Sequence, residues 1–515
     1  MSSSQSASSQ SGTPSLLLGL SALTLFIHLA VNAFGSYGIF RDELYYLACS
    51  HRLAAGFVDQ PPLSIFLLAF NRLLLGDSLF ALRFLPAVCH ALTVFLAGLI
   101  ARRLGGGRSA QALAALAALV APIYLNMTYY SMNSWAFVLW ALGFYFLARL
   151  IEAETPRLWL ALGVVTGLGL LNKIDFLWFA AGLALAVLLT PLRRSLKTPW
   201  PYVAGGLALA IFSPYIIWNL SHGLPHLEFI RNATFSKYAG LTRLDFLMGQ
   251  VILLNPFAIP LWLAGLFFLF FGKTGREHRA LAIVWLVAFA ILVGFGRSKP
   301  EYLAPGYTVL FAAGATAFER ASNRPGRRGL MAGTAAVLTL SAAIIAPMAF
   351  PVLPIKAYIS YARFLGIQPV SAERKQLSDL PQFYADMFGW EELARDVSAV
   401  YLALPEDEKA ATVVLAMNYG EAGALEYYAK RYPVPPVYCG HNNYWLWGPP
   451  RNEVRTVIIL RGKEDDHRKG CEKVELMAIH HAPHAMPYEN DIPIFLCRGL
   501  RQNIPEVWPS IKFYH

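Results

Sequence analysis

Charge is scarce in this 515-residue sequence: Asp, Glu, Lys and Arg together make up 15%, where a soluble globular chain carries roughly a quarter. With 56% hydrophobic residues and a mean hydropathy of +0.44, that scarcity excludes a wholly soluble protein. Cysteine is sparse too. None of the five forms a C-x-x-C pair or a zinc-type spacing, so a zinc-ribbon or dithiol chemistry has no framework here. A basic segment is missing ahead of the first apolar run, and no cleaved secretory signal is expected. The Ser/Gln-rich residues 1–14 instead read as a disordered tail before an uncleaved first span.

The apolar residues are concentrated between 15 and 350. A helix needs roughly 20 of them to cross the hydrocarbon core. Eleven spans are expected, at 15–34, 80–101, 110–126, 133–151, 158–171, 176–191, 201–219, 247–271, 280–296, 303–319 and 329–350. Residues 351–515 return to a soluble composition. There, segments 390–402 and 421–430 read as helices, and 412–416, 454–460, 474–479 and 492–497 as strands. That order predicts a small α/β domain with a partly parallel sheet. Of its three cysteines, Cys439, Cys471 and Cys497, one pair can form a disulfide if the domain is exported, and the spacing leaves the pair open. Cys49 and Cys89, in the membrane half, read as small buried residues.

Net charge is +11, but the basic residues are scattered among short loops, which points to membrane topology and not to nucleic acid. One set of alternate loops carries Arg102, Arg103 and Arg108; Arg149 and Arg157; Arg193, Arg194 and Lys197; Lys273, Arg276 and Arg279; and Arg320, Arg324, Arg327 and Arg328. The positive-inside rule places these in the cytoplasm, and an odd number of spans then places the C-terminal domain outside. The opposite loops differ in kind. Residues 35–77 and 220–245 are long and carry Tyr, Asn, His, Pro and acidic groups, more than a reconnection of helices requires.

The first of these loops holds Asp42-Glu43 and, beyond Gly56, Asp59-Gln60-Pro61-Pro62. Carboxylates beside a membrane are costly unless solvated, paired or functional, and a fixed one can take a proton from a hydroxyl. The competing reading is structural, with Asp42 capping a helix that starts near Glu43 and Asp59 capping a turn. The segment Phe40-Arg41-Asp42-Glu43-Leu44-Tyr45-Tyr46, then Gly56-Phe57-Val58-Asp59-Gln60-Pro61-Pro62-Leu63, then Leu82-Arg83-Phe84-Leu85-Pro86 resembles the dolichyl-phosphate-mannose-type protein mannosyltransferases. It is similar in particular to their bacterial branch, which includes the lipid A aminoarabinose transferases. Further matches follow in order at Asn172-Lys173, at Pro214 to Asn219, at Gly249-Gln250, at Asn255-Pro256 and at Ser298 to Pro305. In the soluble region they continue at Asn418 to Ala424 and at His441 to Gly448.

The resemblance implies a polytopic α-helical membrane protein of the GT-C fold with a C-terminal α/β domain. Its domains would be a tail (1–14), a membrane catalytic domain (15–350) and an extracytoplasmic domain (351–515) of a bacterial inner membrane protein. It implies an inverting transfer of a sugar from a polyprenyl phosphate to a hydroxyl acceptor. Asp42 is then the expected general base, with Glu43 and Asp59 shaping the site. Lys173, Arg231, Lys299 and Tyr302 become candidates for the leaving phosphate, and Tyr46, Asn133, Trp218 and Asn219 for substrate contacts. For the cations the rival role is snorkelling to the interface. Asn133 stands where many relatives carry an acid, which weakens a metal-dependent scheme, and no cofactor is required by this one. Gln60 replaces a basic residue or His of the relatives, so the donor sugar does not carry over. The stretch Tyr444-Trp445-Leu446-Trp447 reads as packing or interface seating ahead of sugar stacking. His480, His481 and His484 lack the acidic partners of a metal tract. A lipid-linked-sugar transporter and a glycan-binding receptor are the rival functions.

Overall fold

The computed structural model describes residues 15–125, 127–238, 240–369 and 377–515. The expected N-terminal tail lies outside them. Among the described residues, six helices are long and apolar enough to cross a membrane: Ser15–Phe34, Leu79–Arg103, Met132–Glu152, Trp200–Ser221, Gly275–Phe295 and Leu330–Ala349. Counting two bent pairs as one span each gives eight. The protein is a multi-pass membrane protein. Each of the eleven expected segments holds a helix, yet Arg108–Val120, Pro156–Asn172 and Tyr307–Ser322 are short. The expected span 247–271 is broken, with Arg243–Ile252 and Pro256–Phe271 meeting at 86°. Asn255 at φ 69° and the missing N–H of Pro256 interrupt the helical ladder there.

Small residues let the short helices sink into the bundle. Gly265 and Gly314 sit where the helices Ile259–Phe271 and Tyr307–Ser322 touch backbone to backbone, and a Cβ at either would collide. Large side chains such as Phe26, Leu73, Phe267 and Phe271 stay exposed on the perimeter, as lipid-facing positions do.

Four of the five basic loops gather at one end. Arg103 pairs with Glu152 at 3.1 Å, and Arg320 donates to the Leu104 carbonyl at 3.3 Å and to Thr274. Glu319 accepts from the backbone N–H groups of Gly107 (2.6 Å) and Ala110 (3.0 Å), capping Arg108–Val120 with a negative charge at its positive end.

The other end carries the helices Arg41–His51, Leu63–Leu75 and Pro225–Phe235 and the C-terminal domain. Its strands are β1 (Thr412–Ala416), β2 (Val437–Cys439), β3 (Thr456–Leu460), β4 (Cys471–His480) and β5 (Ile492–Leu500). They order as β2-β1-β3-β5-β4. β1 is parallel to β2 and β3, and β5 is antiparallel to β3 and β4, so the sheet is partly parallel as expected. β2 escaped the sequence because it is three residues long and follows two prolines. Cys471 and Cys497 form a disulfide across β4 and β5, and Cys439 is buried and free.

The C-terminal domain rests on Arg41–His51 through the helix Tyr419–Tyr428. Gly423 makes the close approach possible, since a Cβ there would lie 2.9 Å from the Leu44 backbone. Arg52 ties the same seam, donating to Glu426 at 2.6 and 3.0 Å and lying over the Trp447 ring at 4.3 Å.

Candidate active site

The adjacent carboxylates Asp42 and Glu43 have opposite surroundings. Glu43 is fully buried and saturated. Arg83 reaches it with two bonds of 3.0 and 2.8 Å, and the backbone N–H groups of Phe40 (2.9 Å) and Tyr130 (2.8 Å) complete its shell. Its bond to Phe40 caps the Arg41–His51 helix. The capping role that the sequence offered to Asp42 therefore belongs to Glu43. Asp42 points elsewhere: its Oδ1 accepts from the Tyr419 hydroxyl at 2.8 Å, and its side chain is 37% exposed.

Asp59 accepts from the Tyr45 hydroxyl at 2.8 Å. Tyr45 and Tyr419 stack with centroids 4.7 Å apart, so the two carboxylates sit at the two hydroxyls of one tyrosine pair. Burial pushes the Asp59 carboxyl up to about 6, with Asp42 adding to the rise and Tyr45 and Lys237 opposing it. Asn443 Oδ1 accepts from the Val58 N–H at 2.6 Å and from Tyr45 at 3.2 Å. His226 bonds the Val58 carbonyl at 3.0 Å, and burial lowers its imidazole to about 4, so it is neutral and donates. The Asp59 loop is thus held from both the outer helix and the soluble domain.

The lysines form the second half. Lys173 ends the Pro156–Asn172 helix, pairs with Asp175 at 2.7 Å and lies 4.6 Å from the Tyr302 ring centroid. Lys299 lies 5.1 Å from the Tyr238 ring and 3.9 Å from Glu301. The hydroxyls of Tyr302 and Tyr238 are 3.4 Å apart, which joins the two lysines through one aromatic pair. Tyr129 links this half to the acids. Its ring packs on Phe40, and its phenol feels Asp42 and Glu43 together with Lys299 and Glu301. Acids and cations therefore converge on one end of the bundle.

A family model described as dolichyl-phosphate-mannose-protein mannosyltransferase matches residues 59–218. Lipid A galacturonosyltransferase RgtD from Rhizobium johnstonii is 22% identical over 281 residues, spanning 54% of this chain and 59% of its own length. ArnT from Cupriavidus metallidurans, in a crystal structure bound to undecaprenyl phosphate, superposes with a TM-score of 0.58 at 14% identity. That superposition covers 93% of this chain and 97% of ArnT, and apo ArnT gives the same values. The chain has the GT-C fold seen in ArnT.

Within that GT-C fold the remaining candidates separate. Tyr46 is buried, accepting from the Met132 N–H at 3.1 Å. Asn133 is half-buried at the start of Met132–Glu152, its N–H capped by Ser131 at 3.2 Å. Trp218 stacks on His222 at 4.5 Å and fills the space that Gly56 leaves open. Asn219 closes the turn into Pro225–Phe235 by accepting from His226 N–H at 3.3 Å and donating to the Tyr215 carbonyl at 3.1 Å. Trp218 and Asn219 thus shape the outer loop. Arg231 is exposed on Pro225–Phe235, with no ion pair or hydrogen bond among the described residues. Trp445 and Trp508 exchange indole N–H bonds with each other's carbonyls at 2.9 and 3.0 Å, and His480 and His481 pair with Asp396 and Asp491. The described residues contain no group of three or more His, Cys, Asp or Glu placed to hold a metal ion.

Sequence reasoning missed Asp175, Tyr238, Tyr419 and Asn443 as parts of the site. Asp175 lies two residues beyond the Lys173 motif, a spacing that allows a turn to close the ion pair. The motifs holding Tyr419 and Asn443 were visible, but their contacts to the first loop span hundreds of residues.

Proposed function

We propose that the protein transfers a sugar from a polyprenyl-phosphate donor to a hydroxyl acceptor, with inversion, at the outer face of a bacterial inner membrane. The observation that carries this reading is the convergence of a half-exposed carboxylate, Asp42, with two lysines held over tyrosine rings. A hydroxyl is a poor nucleophile until its proton is taken. Asp42 accepts that proton as the acceptor oxygen attacks the anomeric carbon from the side opposite the phosphate. The bond from the anomeric carbon to the phosphate oxygen breaks, and the polyprenyl phosphate leaves with both electrons. Lys173 and Lys299 meet the charge that develops on it. Tyr302, between them, donates to the same phosphate once displaced from Tyr238.

Single displacement at carbon accounts for inversion, and Glu43 serves by fixing the helix that carries Asp42. The outer-face placement is supported by the Cys471–Cys497 disulfide, which persists in oxidising compartments, and by the basic loops gathered at the opposite end. Undecaprenyl phosphate bound to ArnT and the activity named for RgtD support the donor class and a lipid acceptor. The test is purified protein with radiolabelled polyprenyl-phosphate sugar and a lipid A acceptor, followed for free polyprenyl phosphate and labelled acceptor. Both should appear together. Movement of intact donor between leaflets of a proteoliposome, with no free polyprenyl phosphate, would replace the transferase with a transporter.

A further inference from the structure

We propose that Tyr419, carried by the soluble domain, is a positioning residue that selects which oxygen of Asp42 faces the acceptor. The inference rests on the reading of Asp42 as the base. Tyr419 donates to Asp42 Oδ1 at 2.8 Å, and Arg41 Nε lies 3.7 Å from the same oxygen. No hydrogen bond reaches Oδ2 among the described residues, and the side chain is 37% exposed. One oxygen is thereby engaged by protein while the other remains for a hydroxyl.

Tyr419 is itself held on every side. Its ring stacks on Tyr45 at 4.7 Å, packs on His441 at 4.6 Å and lies under the Arg41 guanidinium at 5.5 Å. Its helix is capped by Asn418 Oδ1, which accepts from Gly420 N–H at 2.8 Å and Glu421 N–H at 3.0 Å. Arg461, bound to both Glu421 and Glu489, fixes the next turn, and Asn418 Nδ2 reaches Glu489 at 3.1 Å. A phenol locked in this way holds a carboxylate in one rotamer, which a side chain part-open to water at a helix start does not do alone. Productive geometry is steep: a misplacement of about 1 Å costs on the order of 100-fold. The soluble domain is then part of the catalytic apparatus and not an appendage.

The test is Tyr419→Phe in the full-length protein, which removes the hydroxyl and keeps the stacked ring. Turnover should fall about 10- to 100-fold, with KM for the polyprenyl-phosphate sugar and the melting temperature within error of wild type. A purely structural tyrosine would move stability before turnover. If Tyr419→Phe also melts early, the pair with Asp42→Asn decides: no further loss beyond Asp42→Asn supports the proposal, and a multiplied loss overturns it. Tyr419→Phe turning over within twofold of wild type also overturns it. Asp42→Asn at full activity would instead remove the base assignment beneath it, so the two failures are told apart.

Discussion

The two ends of the bundle pair their cations alike but differ in what surrounds the pairs. At the end with the basic loops, short connections carry cations that pair with nearby acids or carbonyls, as Arg103 does with Glu152 and Arg320 with Leu104. At the other end Lys173 and Lys299 also pair with acids and lie over rings, but they share that end with the stacked tyrosines that hold Asp42 and Asp59. The first arrangement orients helices in a bilayer. On the proposed function, the second keeps groups ready for the donor and the acceptor. Charge near a membrane therefore has to be read through its partners, because the residue types at the two ends are the same.

The contrast breaks most sharply at Asp42. Asp42→Asn keeps size and hydrogen bonding while removing basicity, and transfer should drop by about 10²–10⁴-fold with donor binding and melting temperature preserved. Retention of more than about a tenth of the activity would move the base to Asp59. Its neighbour should answer in the other currency. Glu43→Gln leaves Arg83 as an uncompensated buried charge, which costs about 3–5 kcal/mol of stability, visible as a large fall in melting temperature. A normal melting curve would mean that the pair is not buried as described.

Lys173→Met and Lys299→Met should each remove about 2–4 kcal/mol of transition-state stabilisation in kcat/KM, with arginine rescuing only in part. Equal rates in both variants would make these lysines interface anchors like those at the other end. Asp59 sharpens the comparison through pH. Its folded-state value of about 6 lies above the unfolded value near 4, so folding takes up a proton between them and stability is lost as pH rises through that window. At neutral pH the strain is about 3 kcal/mol. Asp59→Asn should raise the melting temperature at pH 7 and leave it unchanged at pH 4; an equal shift at both would exclude titration as the cause. Smallest of all, Arg103→Ala at the opposite end should cost under about 1 kcal/mol and leave transfer untouched.

Much of this division was legible in the sequence. Hydropathy marked the helical segments because lipid-facing and bundle-facing positions are both apolar, and short apolar runs marked β1 and β3 as buried strands. It overcounted uninterrupted spans, since a buried short helix and a bent pair look the same as a crossing helix in composition. The Asp42-Glu43 pair was legible as a site but not as two roles, because Glu43 acquires its shell from Arg83 and Tyr130, 40 and 87 residues away. Nor could Tyr419 be connected to Asp42, or Cys471 to Cys497 in preference to Cys439. Such pairings belong to tertiary packing, and no local pattern encodes them.

The seam between Arg41–His51 and Tyr419–Tyr428 also has a history in time. Asp42 and its tyrosine are 377 residues apart, which at synthesis rates of about 5–20 residues per second separates them by roughly 20–75 s. Glu43 can find Arg83 within the first seconds, so the outer helix acquires its anchor early. Leu44 and Tyr45, by contrast, stand uncovered until nearly the last fifth of the chain emerges and folds. For that interval the nascent protein presents an apolar ledge, open to lipids and to chaperones alike. Premature closure by any other segment would trap the carboxylates out of place. The order of the gene thus builds in a waiting period that the finished structure conceals.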